Sequence, residues 1–143
     1  MRLTRAAGVL LHPTSLPGPH GSGDLGPSAR HFVDWLVVGG QGLWQMLPLG
    51  DIGPGDSPYM SPSAFAGNVL LVDLGDLRER GWLDDADLAS PPAGSEQRIA
   101  FAAVTPWRME RLARAARAFD ERAGAGERAD LAAFRARHSG WLR

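Results

Sequence analysis

The acidic side chains that could catalyse a reaction are three aspartates in the Gly- and Pro-rich parts of the sequence, Asp24, Asp51 and Asp56. Transfer or hydrolysis of a glycosyl group usually needs two carboxyl groups, one of which has a raised pKa and acts as the acid. Each of these aspartates has Gly or Ser beside it, which favours a turn-stabilising role. The first glutamate is Glu79, outside these parts of the chain. The sequence therefore predicts no catalytic residue.

Gly and Pro cluster in two loops, residues 12–26 (the first loop) and residues 48–68 (the second loop). The second loop contains the only Tyr and the only Asn of the chain, Tyr59 and Asn68. A phenol ring has an apolar face that can stack on a sugar and a hydroxyl that can bond to it. Tyr59 is therefore a candidate sugar contact, and Trp44, just before the second loop, is another. The alternatives, a loop anchor for Tyr59 and a core position for Trp44, stay open at this point.

A glycine motif in the first loop is a candidate dinucleotide site, because residues 21–26 (GSGDLG) match the fingerprint G-x-G-x-x-G. That fingerprint needs a tight turn directly after a strand, whereas residues 12–20 separate this motif from the preceding apolar run. The next apolar run ends in Gln-Met-Leu and lacks the acidic residue that binds the ribose. A loop with permissive backbone is favoured, and a nucleotide-binding βαβ domain is the weaker alternative.

The residues that bind metals or form covalent intermediates are sparse. His12 and His20 lie in the first loop, but no second pair of ligands stands at metal spacing, and the chain has no Cys. All 15 basic residues are Arg, which excludes Schiff-base chemistry and the lysine of a phosphate-binding loop. The sequence predicts no metal site and no cofactor.

The overall charge argues against polyanionic partners. With 15 basic and 16 acidic residues the net charge is -1, so the sequence predicts no binding to nucleic acid or to a membrane surface. No apolar run approaches the roughly 18 residues of a membrane span, and the Gly- and Pro-rich start does not resemble a signal peptide. A length of 143 residues suits one compact domain, and we expect a cytoplasmic location.

The first half of the chain has the pattern of a βαβ unit. Short apolar runs at residues 7–11 and 43–47 predict two buried strands, and helical spacing of apolar residues predicts a helix over 27–38 between them. Pro suits the first position of that helix, and Gly39 suits its C-terminal cap. Two strands joined in this way are parallel, which brings the first and second loops to the same edge of the sheet.

The second half has a helical pattern. Residues 69–72 fit either a strand or the start of a helix, and residues 84–98 read as a polar linker. Thr105-Pro106 predicts the start of a helix over 106–121 that places Arg108 away from the apolar stripe, and a last helix is predicted over 129–142. The apolar stripe consists of Met109, Leu112, Ala116 and Phe119.

Several motifs in order resemble those of a known family. They are LLHPTSLPGP at 10–19, GDLG at 23–26, LWQMLPLG at 43–50, GDSPY at 55–59 and SAFAGN at 63–68. Together they closely resemble the amino-terminal part of the 4-α-glucanotransferases called amylomaltases or disproportionating enzymes. The resemblance is dense over residues 5–83 and continues more thinly to the end of the chain.

The resemblance implies an α/β fold, the amino-terminal part of a (β/α)8 barrel with helical insertions, incomplete in this chain. It implies an enzyme that transfers α-1,4-glucan chains, such as maltooligosaccharides, to an acceptor sugar by a retaining double displacement. In the family an Asp nucleophile and a Glu acid lie downstream of the matched region, so we expect this chain alone to be inactive. Residues 1–83 would supply the first barrel strands, a helix and the substrate-cleft loops, and residues 84–143 part of a helical insertion.

Residue by residue, the resemblance assigns substrate binding to Tyr59 and Ser57. Tyr59 matches a tyrosine that lines the donor side of the sugar cleft, and Ser57 matches a neighbouring polar contact. Asp56 and Asn68 resemble supports of the same loop. The chain differs from the family at Pro54, where an aromatic residue often stands, so a sugar contact through an aromatic side chain is not expected there.

Two other functional classes are also compatible with the sequence. A non-catalytic carbohydrate-binding module would use Tyr59 and Trp44 without a carboxyl pair. A nucleotide-binding βαβ domain would use residues 21–26.

Overall fold

A computed structural model of the chain describes residues 5–93 and 98–142. Its strands and helices are, in order, β1 (Gly8–Leu10), α1 (Pro27–Val38), β2 (Leu43–Gln45), α2 (Leu74–Glu79), α3 (Phe101–Arg122) and α4 (Ala125–Arg137). Three short 3-10 turns lie between them, at Pro13–Ser15, Pro54–Asp56 and Val69–Leu71. The segment that fitted either a strand or a helix is thus a 3-10 turn.

The predicted βαβ unit is confirmed. β1 and β2 pair in parallel, with Val9 opposite Trp44, and the Leu11 N–H extends the ladder to the Gln45 carbonyl at 3.0 Å. Both strands are shorter than the apolar runs that predicted them. Because the pair is parallel, the first and second loops leave the same edge of the sheet.

Helix α1 has the bounds that the sequence predicts. Pro27 occupies its first position, where the missing N–H removes no helical hydrogen bond. Gly39 is the C-terminal cap, and its N–H donates to the Trp35 carbonyl at 2.9 Å. Ala29 and Leu36 are the buried residues of the helix.

The prediction that both strands are buried is wrong. Leu10 and Leu43 are 58% and 55% exposed. The reason is that the described residues form a sheet of two strands, packed mainly against α1. Parallel strands with apolar side chains on both faces need cover on each side, and here much of that cover is missing.

The core lies beside the sheet, between α2, α3 and the segment that joins them. Leu74 is fully buried and packs with Leu83 and Ala115. Five partly buried side chains surround these three: Leu77, Trp82, Leu88, Trp107 and Leu112. The core thus combines residues of both predicted segments, 1–83 and 84–143.

Helix α3 begins earlier than predicted. It starts at Phe101, so Thr105 is not its cap, and Pro106 lies inside the helix. Val104 explains this start, because its side chain is buried against Gly21 of the first loop. A Cβ added at Gly21 would lie 2.6 Å from Val104 Cγ2. Packing of Val104 thus stabilises a first turn that Pro106 does not itself support.

The predicted orientation of α3 is wrong for part of its apolar stripe. The buried residues of the helix are Val104, Arg108 and Ala115, and Met109 of the stripe is exposed, whereas Leu112 of the stripe packs against the core. The buried face includes Arg108, expected on another face, because its Nη2 donates to Asp24 and to the Val72 carbonyl in the interior. Apolar periodicity could not reveal this arrangement.

The last helix begins and ends earlier than predicted. α4 covers Ala125–Arg137 and not 129–142, since Gly124 begins the helix as its N-cap and donates its N–H to Glu127 Oε2 at 2.8 Å. The predicted linker over 84–98 contains turns, and its residues 94–97 lie outside the described residues. Within the described ranges, no helix is both long enough and apolar enough to cross a membrane.

Candidate functional site

The second loop is closed at its base by backbone hydrogen bonds. Gly50 and Gly67 form an antiparallel bridge, and the Asn68 N–H donates to the Leu49 carbonyl at 2.7 Å. Gly50 has to be glycine here, because an added Cβ would lie 2.6 Å from Ser61 Oγ. The loop is therefore held at its ends and doubles back over its own base.

The tip of the second loop is a tight turn. Gly55 and Asp56 both have positive φ, 73° and 58°, and the Gly53 N–H donates to the Ser57 carbonyl at 3.1 Å. Asp is one of the few residues that tolerate this conformation. The exposed Asp56 thus contributes to the loop through its backbone, and its role as a loop support stays a prediction.

Ser57 and Tyr59, the two predicted sugar contacts, lie together after this turn. The Tyr59 N–H lies 3.4 Å from Ser57 Oγ, and Pro58 fixes the backbone between them. The Tyr59 side chain is 70% exposed. A large aromatic side chain is thus presented to solvent by a constrained backbone.

Tyr59 lines a cleft of about 500 Å³ in the second loop. Pro58, Ser61, Ser63 and Phe65 also line this cleft. Among the described residues, no Asp or Glu lines it. The cleft therefore offers aromatic and aliphatic surface with hydroxyl and backbone groups, which suits a neutral polyhydroxyl ligand, and its described lining has no carboxyl group for acid catalysis.

Asn68 lies at the end of the loop, away from its tip. Its side chain is buried, and Oδ1 accepts a hydrogen bond from the Leu70 N–H at 2.9 Å. This bond caps the turn Val69–Leu71, whose Leu70 and Leu71 are buried. Asn68 connects the loop to that turn, and its assignment as a loop support stays a prediction.

His12 lies where the first loop approaches the second. Its Nδ1 hydrogen-bonds with Thr14 Oγ1 at 2.8 Å, while Nε2 is buried without a hydrogen-bond partner among the described residues. Burial lowers the pKa of His12, and the nearby Pro48 carbonyl offsets part of this decrease. His12 thus lies between Thr14 of the first loop and Pro48 at the start of the second loop.

The first loop is held by a buried ion pair. Asp24 Oδ2 accepts a hydrogen bond from Arg108 Nη2 at 3.1 Å, and the same nitrogen donates to the Val72 carbonyl at 2.6 Å. His20 lies in the same region, stacked on Trp107 with ring centroids 5.9 Å apart. Burial lowers the pKa of His20, and the Arg108 guanidinium lowers it further. These contacts fix the first loop to α3.

The glycine motif of the first loop does not form an anion site. At the start of α1, the Gly26 N–H donates to Asp24 Oδ1 at 3.0 Å. A Cβ added at Gly26 would lie 2.8 Å from both this oxygen and the Asp73 carboxylate. Two carboxylates where a pyrophosphate would bind would repel it, so the structure argues against the nucleotide-binding alternative.

Trp44 has a packing role. Its indole N–H donates to the Leu11 carbonyl at 2.8 Å, and its ring meets Phe32 edge to face with centroids 4.9 Å apart. It does not line the Tyr59 cleft. Trp44, a candidate sugar contact in the sequence, therefore connects β2 to α1 and to the end of β1.

Phe65 lines the cleft but was not predicted from the sequence as a site residue. The sequence shows an aromatic residue in the same loop as Tyr59, whereas the exposure of Phe65 and its place in the cleft are visible only in the structure. The described residues contain no group of three His, Asp or Glu side chains that could hold a metal ion.

A family model described as 4-alpha-glucanotransferase matches residues 11–143 of the chain. Among curated proteins, 4-alpha-glucanotransferase from Thermus thermophilus is 49% identical over 142 residues, which are 99% of this chain and 28% of that protein. A chloroplastic/amyloplastic 4-alpha-glucanotransferase from Solanum tuberosum is 52% identical over 91 residues, covering 61% of this chain and 16% of that protein.

A solved structure matches as well. Amylomaltase from Streptococcus agalactiae in complex with acarbose superposes with a TM-score of 0.86 at 37% identity. The match covers 95% of this chain and 27% of that protein. The chain thus spans a little over a quarter of the length of the bacterial relatives that it matches.

Proposed function

We propose, from the premise that this chain belongs to the 4-alpha-glucanotransferase family, that it forms part of an enzyme that transfers α-1,4-glucan chains between sugars. The observation that carries the proposal is the Tyr59 cleft, which lies in one of the loops whose sequence resembles the family. An exposed phenol on a constrained backbone binds a sugar ring with little loss of conformational entropy.

The proposed fold of the whole enzyme is a (β/α)8 barrel with helical insertions, in which β1 and β2 are the first two strands. The parallel pairing of these strands through α1 supports this assignment. Their exposed apolar side chains would then be covered by further strands and helices. In such barrels the active site lies at the carboxyl ends of the strands, the edge from which both loops leave.

In this proposal the chain supplies sugar contacts and no catalytic group. The reaction is a retaining double displacement, which needs a carboxylate nucleophile and a carboxyl acid. Because no carboxyl group among the described residues lines the Tyr59 cleft, both groups would come from another part of the enzyme. Residues 1–83 would supply the strands and the cleft, and residues 84–143 a helical insertion.

Tyr59 would stack on a glucosyl unit on the donor side of the cleft. Ser57, whose hydroxyl lies beside the Tyr59 N–H, would add a polar contact to the same unit. Asp56 would hold the tip of the loop in its left-handed conformation, and Asn68 would fix the base of the loop to the buried turn behind it.

The partners proposed for the chain are maltooligosaccharides, with no cofactor, no nucleic acid and no membrane. The near-balanced charge supports a neutral ligand. A cytoplasmic location is our expectation for this chain. A carbohydrate-binding module without catalysis is disfavoured because the family match extends across the second half of the chain, well beyond the sugar cleft.

A chimera tests the proposed function. Residues 1–143 would replace the matched segment of the Thermus thermophilus relative, with which they are 49% identical over 142 residues. We expect the purified chimera to disproportionate maltotriose, measured as released glucose. The relative without this segment is the control and is expected to be inactive. A folded chimera that releases no glucose would contradict the proposal.

A further inference from the structure

Phe65 is a second aromatic side chain of the Tyr59 cleft, and its backbone is as constrained as that of Tyr59. Ser63 Oγ accepts hydrogen bonds from the N–H groups of Phe65 and Ala66, at 3.2 and 3.1 Å. Ser61 Oγ in turn donates to the Ser63 carbonyl at 2.9 Å. The segment that carries Phe65 is thus a hydrogen-bonded turn.

Trp141, from the turn after α4, supports the Phe65 ring. The two rings stack with centroids 6.1 Å apart and planes inclined by 22°. The Trp141 indole N–H donates to His138 Nδ1 at 3.1 Å, and the two rings of this pair meet edge to face. Trp141 is therefore oriented by a polar contact of its own, and it provides a fixed surface behind Phe65.

Despite this support, 72% of the Phe65 surface is exposed. Trp141 covers part of the ring, and the ring also lines the cleft that contains Tyr59. An open aromatic surface in a cleft whose described lining has no carboxyl group suits the apolar face of a sugar ring.

We propose that Phe65 is a second stacking contact for an α-glucan chain in this cleft and that Trp141 is the residue that positions it. This inference rests on the proposed function. Phe65 would contact a glucosyl unit of the chain that Tyr59 also binds. Trp141 would not touch the sugar, and would act by holding the Phe65 ring in place.

The test is an NMR titration of the full 143-residue chain with maltoheptaose. We expect weak binding, with a Kd on the order of 1 mM, and shifts in the ring resonances of Tyr59 and Phe65. Phe65→Leu should weaken the affinity about 3- to 10-fold, which is the range of one aromatic contact. Phe119→Leu is the matched control, because Phe119 packs on Trp82 away from the cleft, and it should leave the affinity unchanged.

The same titration also tests the positioning role of Trp141. Trp141→Ala should weaken the affinity as Phe65→Leu does, and Trp141→Phe should restore most of it because a ring remains to stack on Phe65. Equal helical circular dichroism would show that these variants keep their fold.

Unchanged affinity in Phe65→Leu, with weaker binding in Tyr59→Leu, would overturn this inference and leave the proposed function intact. If both variants bind like the unmodified chain, or if the unmodified chain binds no maltoheptaose, the sugar cleft itself is wrong. Failure of Trp141→Phe to restore the affinity would overturn the positioning role.

Discussion

Arg108 and Asp24 form a buried ion pair that joins α3 to the first loop, with Nη2 and Oδ2 3.1 Å apart. The side chain of Arg108 is completely buried, and that of Asp24 is nearly so. Asp24 also accepts from the Gly26 N–H at the start of α1, and Arg108 also donates to the Val72 carbonyl. One pair therefore connects the first loop, α1, α3 and the segment before α2.

We expect Asp24→Asn to destabilise the chain strongly, because the change leaves the buried Arg108 guanidinium without its counter-charge. Removing one partner of a buried pair typically costs about 3 to 5 kcal/mol. The amide oxygen of the variant can still accept from the Gly26 N–H, but its NH2 group then faces Arg108 Nη2, so the variant loses both the charge and the hydrogen bond. Urea unfolding followed by helical circular dichroism measures it.

The matched control is Asp85→Asn, which removes the exposed partner of Arg78. Little or no change is expected there, because solvent screens the exposed ion pair. Equal effects of the two substitutions would mean that the Arg108–Asp24 pair contributes no more than a surface contact.

Stability should decrease in mild acid because of His20. Burial and the Arg108 guanidinium lower the pKa of His20, while Asp24 and Asp73 oppose this decrease and Arg78 adds to it. A histidine whose pKa is lowered on folding is neutral in both states above its ordinary value of 6.5. As the pH falls below that value, the unfolded chain takes up the proton first, and stability is lost until the folded pKa is reached.

Measuring the free energy of unfolding between about pH 7 and about pH 5 tests this expectation. His20→Phe, which retains a ring to stack on Trp107, should reduce the slope. Some slope should remain because the pKa of His12 is also lowered. The carboxylates whose pKa is lowered, Asp87 and Glu110, would act at more acidic pH. If the free energy of unfolding depends on pH equally in the variant and the unmodified chain, His20 does not cause the loss of stability.

Amide hydrogen exchange should reveal two levels of local stability. Val104 and Ala115 lie in the buried face of α3, whereas Leu10 and Leu43 belong to strands with much of their apolar surface exposed. Local opening is less costly where few apolar contacts are lost. We therefore expect slower exchange at the α3 amides than at hydrogen-bonded amides of β1 and β2. Equal protection in both regions would contradict this account.

The elements predicted correctly from sequence are those whose signals are local. Helix α1 has a Pro at its start and a Gly at its end, and both signals act on neighbouring backbone. The parallel pairing of β1 and β2 followed from the order of short apolar runs. Neighbouring residues thus determine the bounds of α1, whereas the pairing of the strands follows from the order of the elements along the chain.

The predictions that failed depended on distant contacts. The start of α3 depends on Val104 meeting Gly21, and its orientation depends on Arg108 reaching Asp24 across 84 positions of the chain. Phe65 was not recognised as lining the cleft, because its support comes from Trp141. Sequence periodicity contains no information on such pairs.

The chain alone should show no disproportionation of maltotriose. The Tyr59 cleft has no carboxyl group among its described lining residues, and the reaction needs two. Purified chain incubated with maltotriose is expected to release no more glucose than a mock purification. Glucose above that background would contradict the assignment of both catalytic groups to another part of the enzyme.

The most direct test of the central claim is kcat/KM for maltotriose in the chimera with Tyr59→Phe. This substitution keeps the ring and removes one O–H. If the Tyr59 hydroxyl hydrogen-bonds to the glucan, we expect transition-state stabilisation to decrease by roughly 0.5 to 1.5 kcal/mol, the usual net value of one neutral hydrogen bond. A kcat/KM equal to that of the unmodified chimera would contradict the claim that the Tyr59 hydroxyl takes part in binding the sugar.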